Sequence, residues 1–134
     1  MTNLDLALSY ITKARKRLKV LDVLLDEQDY SDVIRESQEI VELATKAMLR
    51  RIGIDPPKWH DVSGILLEHK DRFPGEIRKA LGEVTKVSKR LRKERELSFY
   101  GDIDFIPTEE YTEEDARQFM KETAFVVETA LKLF

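Results

Sequence analysis

The chain has 134 residues, 42% hydrophobic and 37% charged, with a formal net charge of −3. That length suits one domain with one core, residues 1–134, and the apolar content is too high for a disordered chain. The absence of cysteine excludes disulfides and thiolate chemistry, and no apolar run approaches the ~20 residues that a helical membrane span needs. The opening, Met1 to Tyr10, carries an aspartate and no basic start, so it does not read as a secretory signal. A cytoplasmic protein without membrane contact is expected.

Leu4, Ala7, Ile11, Ala14, Leu18, Leu21 and Leu25 recur at three- and four-residue steps, which predicts an amphipathic helix over 3–27. Val33, Ser37, Ile40, Val41, Ala44, Ala47, Met48 and Ile52 predict a second helix over 30–52. Gly53 is its expected stop, and Pro56-Pro57 cannot continue it. A short helix follows, with Asp61 or Ser63 as its cap and Ile65, Leu66 and Leu67 as its apolar side. Pro74 is expected in the first turn of the next long helix. There Ile77, Leu81, Val84, Ser88, Leu91, Arg95 and Ser98 hold inward positions.

Residues 100–111 read as a loop with turn chemistry at Gly101-Asp102 and Pro107. Thr112 and Asp115 have the spacing of a capping box, and Ala116, Phe119, Thr123, Val127, Ala130 and Phe134 form the last seam. Five glycines and four prolines leave little room for a turn-rich β fold. The expectation is therefore an all-α, antiparallel up-and-down bundle of four long helices plus one short helix.

Charge is unevenly spread. Five of the seven residues from Lys13 to Lys19 are basic, as are five of the eight from Lys86 to Lys93. From Asp102 to Glu128 nine acidic residues face only Arg117 and Lys121. The basic runs are candidates for a phosphate path, although the aromatic interleaving of single-strand binders is missing from both. A solvated helix face is the simpler reading. The two histidines, His60 and His69, have no paired-carboxylate spacing, so neither a metal nor a cofactor is expected, and His69 is expected to be exposed.

The order Glu42, Lys46, Gly53, Pro57 and His60-Asp61, followed by "RELSFYGD" and "YTEEDARQFMKETA", resembles the HEPN family over nearly the whole chain. The resemblance implies a helical bundle that commonly dimerises, often paired with a minimal nucleotidyltransferase. Some members resemble metal-independent RNA-cleaving toxins, whose site joins an arginine to a histidine a few residues on. Others bind nucleotides. At the corresponding places this chain has Arg95 and Tyr100, with Glu96 where active members carry another polar residue.

A tyrosine with the ordinary pKa of about 10 is ionised in only about one molecule in a thousand at pH 7, so it is a poor base. A glutamate beside a phosphate adds repulsion. Both departures count against cleavage. Arg95 on an apolar seam reads either as a phosphate-binding arginine in a dimer cleft or as a buried ion pair with Glu42 or Glu39. Tyr100 reads as an acceptor for modification by a nucleotidyltransferase or as a half-buried aromatic at a helix end.

Glu42 and Lys46 stand one turn apart, either pairing to support the helix or contributing to a ligand site. His60 is a displaced base or a cap. The leading expectation is a homodimeric module binding a nucleotide, RNA or a nucleotidyltransferase through a cleft containing Arg95, with Tyr100, Glu42 and Lys46 nearby and a toxin–antitoxin role. The alternatives are a metal-independent ribonuclease using Tyr100 or His60, and a purely structural oligomer.

Overall fold

Thr2 starts the first helix as one half of a capping box. Its hydroxyl accepts from the Asp5 backbone N–H at 3.1 Å, and the Asp5 carboxylate accepts from the Thr2 N–H at 2.9 Å. The same arrangement at Thr112 and Asp115, at 3.1 and 3.0 Å, opens the last helix as the sequence predicts. A computed structural model describes residues 2–134. Its helices are α1 (Asn3–Asp26), α2 (Tyr30–Arg51), α3 (Ser63–Glu68), α4 (Gly75–Phe99), α5 (Pro107–Glu110) and α6 (Glu113–Leu131), with a 3-10 turn at Lys70–Arg72. Two short helices, α3 and α5, thus stand beside the four long ones. The second arises where Pro107 presets the first turn inside the predicted loop.

The stops follow backbone chemistry. Gly53 takes φ +84° just after α2. Gly101 takes φ +75° after α4, and its N–H donates to the Leu97 carbonyl at 3.1 Å. A Cβ on residue 101 would strike the Phe105 carbonyl and lie 2.7 Å from Pro107 Cδ, so the turn requires glycine. Pro74 does not enter α4 as expected. With ψ 151° it is extended and occupies the cap position one residue earlier.

α2 is the central element, packing on α1, α4 and α6. Its buried side therefore spreads beyond one seam and includes Ile34 and Leu49 as well as the predicted positions from Val33 to Met48, whereas Ile52 is partly buried at the end of the helix. Val62, Leu66 and Phe73 extend the core into the connection between α2 and α4. Leu67 is 38% exposed, so only part of the predicted apolar side of α3 is used. Leu4 and Phe134, predicted seam members, are 48% and 41% exposed, because terminal turns have fewer neighbours to cover them. His69 is half-buried rather than exposed. Among the described residues no helix is long and apolar enough to cross a membrane.

Asp32 is a titratable group that works against the fold. Asp32 sits in the first turn of α2, and burial together with the Asp29 carboxylate pushes its carboxyl up to about 6, against the pull of Arg35. An acid raised on folding opposes stability at neutral pH, and that penalty fades as pH falls toward its unfolded value. Asp32→Asn is expected to raise the Tm at pH 7 by about 2–5 °C and to change it little near pH 4, measured by thermal unfolding at both pH values.

Candidate functional site

Positions 38, 42 and 46 of α2 are successive turns of one helix face. Lys46 Nζ donates to Glu42 Oε2 at 3.0 Å, so the predicted pair forms. The segment after Pro57 brings His60 back over this face, with its Nδ1 2.9 Å from Glu42 Oε1. Gln38, only 2% exposed, donates through Nε2 to Glu42 Oε1 and to the His60 backbone carbonyl, both at 3.2 Å. Burial raises the Glu42 carboxyl, but the hydrogen bonds from His60, Lys46 and Gln38 outweigh it and hold the group below the ordinary range.

Arg95 reaches this network from α4. Its guanidinium donates to Gln38 Oε1. The ion pair with Glu42 or Glu39, one of the two readings of Arg95, does not form among the described residues; the guanidinium bonds the neutral amide instead. Burial and the nearby Arg35 lower the Arg95 pKa against the pull of Glu39 and Glu42, yet an arginine so perturbed still carries its charge at neutral pH. Arg95, His60, Glu42, Glu39, Leu43 and Arg17 line one cleft of about 230 Å³. Arg17 is engaged otherwise, donating to Glu36 at 2.6 and 3.1 Å and to Glu39 at 3.4 Å. Among the described residues Arg95 has no carboxylate within ion-pair distance, so it is the unneutralised arginine of the cleft.

Tyr100 is not brought in. It caps the end of α4, 76% exposed rather than half-buried, with its ring edge-on to Phe99 at 4.8 Å. Five positions along a helix turn about 140°, so a side chain at 100 cannot share the inward direction of Arg95. The structure therefore joins Arg95, His60, Glu42 and, through Glu42, Lys46, and leaves Tyr100 outside.

Sequence reasoning missed Gln38 and Arg17. The four-residue ladder Gln38–Glu42–Lys46 was a legible signal for the first. Arg17 was hidden within a basic run. Asp61 fixes the approach of His60, accepting from the Ser63 N–H at 2.9 Å, Ser63 Oγ at 2.6 Å and, across to α4, Ser88 Oγ at 2.7 Å. Among the described residues no cluster of three or more His, Asp or Glu side chains is placed to hold a metal.

A family model described as the HEPN domain matches residues 7–133. The chain is 29% identical over 133 residues to a protein of Methanocaldococcus jannaschii named "Putative toxin MJ1304", covering 94% of this chain and 86% of that one. No solved structure matches the chain significantly.

Proposed function

The chain belongs to the HEPN domain family, and from that premise we propose a toxin-like module that binds a nucleotide or RNA through the Arg95 cleft. The observation that carries this reading is the state of Arg95, held by a neutral amide and not cancelled by an acid. A guanidinium in that condition grips phosphate oxygens through its planar fork. The name of the archaeal relative supports the toxin-like role, and family membership supports a nucleotidyltransferase as partner. A homodimer is part of the proposal. Phe99 is 49% exposed and lines, with Val20 and Leu24, a groove that also holds Asp32, Arg35 and Glu36 and shares Glu39 with the cleft, a mixed apolar and charged surface that a second copy could cover.

The Glu42–His60 contact favours a second reading, a metal-independent ribonuclease with His60 as base. In that reading the Nδ1 hydrogen is donated to Glu42 and the Nε2 lone pair takes the proton of the 2′-hydroxyl. The 2′-oxygen bonds to phosphorus, Arg95 stabilises the phosphorane charge, and the bond to the 5′-oxygen breaks as that oxygen takes a proton from water. The exposure of Tyr100 and its absence from the cleft lining make it the weaker candidate base.

The test is a mixed single-stranded RNA pool incubated with wild type and His60→Ala in the presence of chelator, with binding followed by anisotropy and mass by sedimentation at micromolar concentration. Saturable, salt-sensitive binding by a dimer without cleavage is the expected result. Cleavage that disappears in His60→Ala moves the assignment to the ribonuclease. Failure to bind RNA, ATP or AMP overturns the ligand assignment, and a monomer removes the dimeric part.

A further inference from the structure

The position of Gln38 explains how a charged arginine is held beside two carboxylates without being neutralised. Glu39 and Glu42 both line the cleft with Arg95, yet its guanidinium bonds to the Gln38 side-chain oxygen. The amide has no freedom to turn over. Its nitrogen has acceptors at Glu42 Oε1 and the His60 carbonyl, so only its oxygen remains for Arg95. Reversal would set N–H groups against the guanidinium and an oxygen against two oxygens. With the residue 2% exposed, water cannot readily take over these roles.

We propose that Gln38 is the positioning residue of the cleft, aiming Arg95 at an incoming anion without cancelling its charge and tying it to the Glu42–His60 pair. The inference rests on the cleft reading above and adds how the site is held. A glutamate at position 38 would reach Arg95 equally well, but would neutralise it and oppose Glu42. A methionine would keep the bulk and the positive charge but lose all three hydrogen bonds. The chemical choice of an amide is what permits aim and charge together.

The probe is inorganic pyrophosphate, titrated calorimetrically into wild type, Arg95→Ala, Gln38→Glu and Gln38→Met. Circular dichroism verifies the helix content of each. A loss of about 10-fold or more is expected for Gln38→Glu, and about 3- to 10-fold for Gln38→Met. The second readout is the ring ¹⁵N signals of His60 at pH 8, assigned by removing the other imidazole with His69→Gln. In Gln38→Met they should move, because Glu42 and the His60 backbone each lose a donor.

Pyrophosphate binding by Gln38→Glu within twofold of wild type, with His60 signals unmoved in Gln38→Met, would overturn the assignment. If Arg95→Ala alone loses binding in that case, the cleft reading survives. If Arg95→Ala binds like wild type, or wild type does not bind, the cleft reading fails. Gln38 is then decided by the ring signals: movement upholds its link to His60, and none overturns its role.

Discussion

Arg95→Ala is expected to weaken RNA or nucleotide binding by about 10- to 100-fold while leaving helix content and Tm close to wild type. The asymmetry follows from how Arg95 is held. An arginine buried in an ion pair leaves an orphaned carboxylate when removed, at a cost of several kcal/mol. Arg95 has no such partner among the described residues, and its removal deprives only the Gln38 oxygen of a donor, an effect of about 1 kcal/mol. Arg95→Lys keeps the charge but not the fork, so its affinity should fall between the two. Losing one phosphate contact on a single strand should also flatten the dependence of log K on log salt by about 0.7. Anisotropy with a labelled RNA at several salt concentrations reads both effects. Unchanged affinity and slope would mean that the anion sits elsewhere.

Asp61→Ala should destabilise the fold by about 3 kcal/mol, lowering the Tm by roughly 6–12 °C. Asp61 ties the start of α3 to α4 through two buried serines. Ser63 and Ser88 are 0% and 3% exposed, and both hydroxyls donate to the same carboxylate oxygen. Alanine leaves both without that acceptor. Asp61→Asn retains an oxygen in the same place and should recover part of the loss.

Acidification gives a second signature. Burial raises the Asp61 carboxyl, but its hydrogen bonds to Ser63 and Ser88 and the nearby Lys89 bring it below the ordinary range. A carboxyl depressed on folding stabilises the protein above its unfolded pKa, and that contribution is lost as pH falls through the folded value. The difference in Tm between wild type and Asp61→Ala should therefore shrink below about pH 4. Equal Tm values at pH 7 would show that solvent satisfies both serines. Because His60 immediately precedes Asp61, this variant should also weaken the Glu42 contact.

The seams of α1, α2, α4 and α6 were legible because burial along a helix repeats with the helix itself, and neighbours in space are neighbours in sequence. For the same reason the Thr112–Asp115 cap and the Glu42–Lys46 pair were readable, each closing over three or four residues. Thr2–Asp5 carries the same capping spacing, a local signal that the apolar seam of α1 does not contain. Tyr100 was grouped with Arg95 by treating nearness in sequence as nearness in space, although five positions along a helix turn the side chain to another face.

The contacts that make a site lie in another class. His60 meets Glu42 across 18 residues and Arg95 meets Gln38 across 57. No local period encodes which polar group an inward arginine meets, since Glu39, Glu42 and Gln38 all lie on the α2 face toward it. The sequence by itself determined the helical class, the long elements and the stripe on which Arg95 lies, because these depend on local backbone preference and one-sided burial. Only the tertiary structure decided that Arg95 would meet an amide and keep its charge uncancelled. That outcome depends on how α2, α4 and the His60 segment pack together, and hydrogen bonding selects among side chains only once packing has set their distances.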